Sequence, residues 1–143
     1  MLEPRISAFY HCSGFEQRFV PDPLVPPMLV PIEVLNNITP LFIPTAFSFA
    51  VGAGIVGFNL EATNTFKYAF ISPSGNEVLS QEVHLPIIPN DPKLDADMQG
   101  IVLNLNLQNV VLNEEGYYLS RITFNNKQIG EYSIKVKAVN TNA

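Results

Sequence analysis

Ile101 to Val139 constrains this chain more than any other stretch, because strand period and turn chemistry agree along its whole length. Ile101, Leu103, Leu105 and Leu107 alternate with Val102, Asn104, Asn106 and Gln108, which puts leucines on one face of a strand and amides on the other. Asn113-Glu114-Glu115-Gly116 interrupts the pattern. Tyr118, Ser120, Ile122 and Phe124 then alternate with Leu119, Arg121 and Thr123, and Asn125-Asn126-Lys127-Gln128 turns the chain back. Last, Tyr132, Ile134, Val136 and Ala138 alternate with Ser133, Lys135 and Lys137. Three antiparallel strands are expected, the final one with a wet face.

Within that stretch, Glu114-x-Gly116-x-Tyr118 resembles the corner before strand F of immunoglobulin-like and fibronectin-like sandwiches, where a tyrosine hydroxyl bonds back to the preceding loop. The resemblance implies that Gly116 and Tyr118 form such a structural corner. The Cys…Trp…Cys set of antibody domains is absent, since the chain has one cysteine and no tryptophan. Any kinship is architectural. The expected fold is therefore all-β, a two-sheet antiparallel sandwich of immunoglobulin/fibronectin type with seven to eight strands, forming one domain over residues 1–143. In size and texture the chain also resembles small uncharacterised sandwich proteins of bacterial and prophage genomes, a likeness that implies no activity.

A chain of 143 residues buries enough surface to fold without disulfide or metal. Its composition, 47% apolar and 15% charged, lies on the apolar, charge-poor side of the globular average, so part of that surface is expected to face a partner. The net charge is −5, with no basic residue between Arg18 and Lys67. Nucleic acid, which is held by clustered Lys and Arg, is not an expected partner. The start, Met1-Leu2-Glu3-Pro4-Arg5, lacks the basic region and apolar core of a secretory signal, which makes the cytoplasm the expected location.

Arg5 to Cys12 reads as a first strand, with Ile6, Ala8 and Tyr10 on one side and Ser13-Gly14 ending it. Residues 19–44 then carry Pro21, Pro23, Pro26, Pro27, Pro31, Pro40 and Pro44, which rules out helix and interior strand because each proline removes a donor and fixes φ. Leu24, Val25, Met28, Leu29, Val30 and Ile32, followed by Val34 and Leu35, are too apolar for a solvated linker. An extended or edge-strand segment pressed on the sandwich or on another subunit is expected, and these first six are the candidate protein-contact residues.

No charged residue lies between Glu33 and Glu61. Leu41 to Leu60 is long enough to cross a bilayer as a helix, yet Pro44, the glycines, Ser48, Asn59 and the absence of flanking Lys or Arg speak against a span. Phe47, Phe49 and Val51 alternate, so a buried strand is expected instead. Gly52-Ala53-Gly54-Ile55-Val56-Gly57 spells the dinucleotide fingerprint, but the residues that follow form no amphipathic helix to hold a pyrophosphate. The apolar phase shifts from Phe47, Phe49 and Val51 to Phe58 and Leu60, which predicts a glycine bulge or bend. Phe66, Tyr68 and Phe70, a turn at Ser72-Pro73-Ser74-Gly75-Asn76, and Glu77 to Leu85 make a hairpin whose return reads as an edge. Pro86 to Gly100 is a loop.

Asp95-x-Asp97-x-x-Gly100 with Asp91 upstream is a fragment of a calcium loop, lacking the closing glutamate because Asn106 falls within a strand. Asp91, Asp95 and Asp97 are the metal-ligand candidates, with solvated loop acids as the plainer reading. Cys12 invites a thiolate nucleophile with His11 or His84 as base. Neighbours on a strand point to opposite faces, however, so a packed small hydrophobe is expected at Cys12. Of the tyrosines considered as sugar platforms, Tyr10, Tyr68, Tyr117 and Tyr132, Tyr117 has the strongest claim to an exposed ring. No catalytic residue, cofactor or membrane partner is expected. The favoured function is a non-catalytic binding or assembly module acting through protein contacts, self-association first. The alternatives are a sandwich that binds a small ligand, sugar or calcium, and an accessory prophage protein that binds one host or viral protein.

Overall fold

The computed structural model describes residues 2–139. Two sheets face each other. The first has the order β2-β1-β4-β7, built from β1 (Arg5–Arg18), β2 (Met28–Leu35), β4 (Thr45–Val56) and β7 (Gly100–Leu112). The second has the order β3-β9-β8-β5-β6, built from β3 (Asn37–Ile38), β5 (Asn64–Ile71), β6 (Glu77–Leu85), β8 (Gly116–Phe124) and β9 (Lys127–Val136). This is an immunoglobulin-like sandwich. It has nine strands among the described residues rather than seven to eight. The additional strand is β3, which pairs parallel with the end of β9, Asn37 opposite Lys135 and Ile38 opposite Val136. Every other pairing is antiparallel.

The inward-facing positions of both sheets make one buried core. Phe49, Val51, Ile55, Leu105, Leu107 and Leu112 come from the first sheet, and Phe66, Tyr68, Phe70, Tyr118, Ile122 and Phe124 from the second. Phe70 stacks on Tyr118 at 5.1 Å and meets Phe49 of the opposite sheet at 5.2 Å. At the corner, the Tyr118 hydroxyl donates to the Glu114 carbonyl at 2.8 Å. Gly116 has φ +134 there, and a Cβ would press on the Pro73 ring, so two constraints select glycine. Asn125 and Asn126 both take positive φ in the two-residue turn between β8 and β9, the conformation whose twist suits a tight hairpin.

The expected glycine bend falls at the last glycine of the run, not at the first two. β4 does not bulge or bend at Gly52 and Gly54. Its register continues unbroken against β7 from Phe49 to Val56, with Phe49, Val51, Ala53 and Ile55 all facing the core. The glycines leave room on the outer face, where the Tyr10 ring lies over Gly52 and the Ser7 hydroxyl over Gly54. The phase change comes later, at Gly57, whose φ is +83. The glycine run therefore sits in a central strand and opens no helix.

β1 also differs. It runs through Ser13-Gly14 to Arg18, and a register shift between Ile6 and Ala8 moves the inward phase from Ile6 to Phe9 and His11. Ala8 and Tyr10 thus share the outer face with Gly54 and Gly52. Among the described residues no helix is long and apolar enough to cross a membrane.

Candidate protein-contact surface

β1 pairs with central β4 only from Arg5 to Cys12, whereas its pairing with β2 runs from His11 to Arg18. From Gly14 onward the two strands form a ribbon that has no third strand among the described residues, closed by the turn through residues 19–27. Prolines explain this placement. Pro31 lacks the amide a central strand must donate, so β2 is confined to the edge, opposite Phe15. Glu33 has φ +53 where the pairing skips from Val34 to Ile32, an irregularity at the base of the arm.

The arm is apolar and wet. Leu24 is 89% exposed and Met28 55%. Val25, Leu29 and Ile32 are also exposed, while Val30 is half-buried. Phe19, 74% exposed, and Val20 belong to the same surface. The sequence reading missed these two, although apolar residues flanking the first of a run of prolines were a usable signal. Val34 continues the surface at the base of the arm. Scattered exposed apolar residues are ordinary, but this many on one two-stranded ribbon form a patch of the kind that marks a protein contact. A second apolar pair, Leu41 and Phe42, is exposed just before β4.

The chemical candidates lie apart. Asp91, Asp95 and Asp97 are all exposed. Asp91 accepts the Lys93 amide through Oδ1, and its own amide donates to the buried Gln99 side chain at 2.7 Å. Among the described residues no three His, Cys, Asp or Glu side chains converge. Cys12 is fully buried, its thiol donating to the Gly14 carbonyl at 3.3 Å, and burial raises its pKa. His84 stands on β6, at the far edge of the other sheet, beside Glu82. Tyr117 is exposed with the Lys135 ammonium 5.6 Å from its ring centre, whereas Tyr68 is buried and Tyr10 and Tyr132 are half-buried.

His11 is the surprise. Its Nε2 lies 2.8 Å from Ser120 Oγ, which is 2.7 Å from the Tyr68 hydroxyl, so one buried chain of polar groups links three strands across both sheets. Burial pushes the imidazole pKa down to about 4 and raises that of Tyr68. The sequence signal was Ser120 itself, a lone polar residue in the phase of Tyr118, Ile122 and Phe124.

Among solved structures, an immunoglobulin-like protein from Pseudomonas aeruginosa aligns at 14% identity with a TM-score of 0.41, covering 94% of this chain and 97% of that one. An alkylpurine DNA glycosylase from Pseudomonas fluorescens, bound to DNA containing an abasic site analogue, aligns at 9% identity with a TM-score of 0.44, covering 96% of this chain and 31% of that one. No curated protein matches. A family model matches residues 32–137, from the base of the arm to the last strand, and by that match the chain belongs to the family of unknown function DUF6941.

Proposed function

We propose that this chain is a non-catalytic assembly module, acting in the cytoplasm, that self-associates through the β1–β2 arm. The observation that supports this reading is the arm itself. It carries exposed apolar side chains from Phe19 to Ile32, and its outer strand has one edge unpaired among the described residues. An isolated two-stranded ribbon is marginal in water, and a second copy laid on it covers the apolar side chains and pairs the edge together. Proline at position 31 and the exposed Glu33 limit how far such pairing extends, which favours a closed assembly over a fibre.

Replacing Met28 and Leu29 together by aspartate is expected to reduce the particle mass in solution to that of one chain. The melting temperature of the variant at low concentration should stay near that of the parent monomer, because neither residue belongs to the core between the sheets. Light scattering that shows the same mass for variant and parent would reject the arm as the contact.

A further inference from the structure

Where the chain crosses from β2 to β3, a cleft of about 260 Å³ opens between the sheets, walled by Phe9, Tyr10 and His11 of β1 and Tyr132 of β9, with Asn36 on its rim. Phe9 and Tyr132 stack at 4.4 Å and nearly parallel, so two rings from opposite sheets close on each other and form an aromatic side of the cleft. Among the described residues, none that lines it is an acid, a lysine or an arginine.

The proton count of the buried chain decides what His11 shows to this cleft. The Tyr68 hydroxyl is fully buried and Ser120 Oγ is its one hydrogen-bond partner among the described residues, so the arrangement that leaves no buried proton unbonded has Tyr68 donating to Ser120. The Ser120 proton then goes to the remaining neighbour, His11 Nε2. Nε2 is therefore an acceptor, and a neutral imidazole carries its one proton on Nδ1. Nδ1 has no hydrogen-bond partner among the described residues, yet no fully buried side-chain nitrogen or oxygen among them lacks one. Nδ1 is thus not sealed by the described residues, and the cleft is the opening among them that His11 lines.

We infer that this cleft binds a small, uncharged, aromatic molecule whose carbonyl or amide oxygen accepts the Nδ1 proton of His11 while its ring packs against the Phe9–Tyr132 pair. Uncharged walls exclude an ionic ligand from a site where a buried charge would stay unpaired. The volume lies just below the ~300 Å³ at which drug-sized sites begin, which limits the occupant to about a single ring with its polar substituent. The donor is pre-aimed, because the chain through Ser120 and Tyr68 fixes the tautomer from behind, as an outer partner orients a ligand-binding imidazole elsewhere.

The test uses the full chain, benzamide as probe and toluene as its acceptor-free counterpart, read by nitrogen-15 spectra of the imidazole and of the backbone amides. The free protein should show Nδ1 protonated and Nε2 bare. Benzamide should shift Nδ1 and the amides of Asn36 and Tyr132 saturably, and toluene should bind about tenfold more weakly, the difference of ~1.4 kcal/mol expected of one hydrogen bond. A proton found on Nε2 overturns the assignment. So does an imidazole unmoved at millimolar benzamide, or toluene binding as tightly as benzamide.

Discussion

Taking the solution from pH 7 to pH 4 is expected to cost the fold on the order of 3 kcal/mol through His11 alone. The imidazole has a pKa of about 4 in the folded chain against an ordinary 6.5, and each unit of that difference corresponds to about 1.36 kcal/mol. The folded value is depressed, so protons favour the unfolded chain. The stabilisation is complete above pH 6.5 and is lost as the pH falls toward 4.

The geometry supplies a cause beyond burial. A proton on Nε2 would meet the Ser120 proton, and the chain would have to reverse, leaving the Tyr68 hydroxyl proton with no acceptor among the described residues. The other titratable groups around it, Tyr68, Tyr10, Tyr132 and Cys12, all have pKa values raised by burial and stay neutral over this range. No carboxylate bonds to the imidazole among the described residues. Exposed carboxylates add a pH dependence of their own, which a His11→Gln variant shares while keeping an acceptor for Ser120. Urea midpoints for the two proteins should diverge above pH 4 with a slope approaching that of one proton. Parallel curves from pH 6.5 to pH 4 would contradict the neutral buried imidazole.

Phe70→Ala is expected to cost about 3–5 kcal/mol, a large share of the ~5–15 kcal/mol that holds a typical domain together. Phe70 is fully buried, stacked on Tyr118 in its own sheet and packed against Phe49 of the other. Truncation removes contacts on both sides and leaves a cavity that neither rigid sheet can close. Chemical denaturation reads the loss directly, and a decrease below about 1 kcal/mol would mean that the sheets collapse into the space.

How much of this was legible depended on whether the cause lay close in sequence. The strands from Ile101 to Val136 could be read because period and turn residues are local properties, and Tyr118 reaches only back to Glu114. The bend at Gly57 was legible in the phase of its neighbours, but the reason for Gly52 and Gly54, the Tyr10 ring and the Ser7 hydroxyl, comes from a strand some forty residues earlier in the chain. β3 could not be read, since two residues have no period and their partners, Lys135 and Val136, lie near the other end. The inward phase of β1 turned on a single register shift near Ser7 that shows only once β4 is beside it. The proline-rich segment was readable as extended and apolar, but its pairing with a lengthened β1, and hence the arm with Phe19 at the start of its turn, required the three-dimensional neighbour. His11 and Ser120 are 109 residues apart, and no local pattern joins them.

The proposed self-association is tested most directly by sedimentation of the unaltered protein over a wide concentration range. A discrete dimer or larger closed species that dissociates on dilution is the expected result. A single monomeric species that persists at the highest concentration would contradict it.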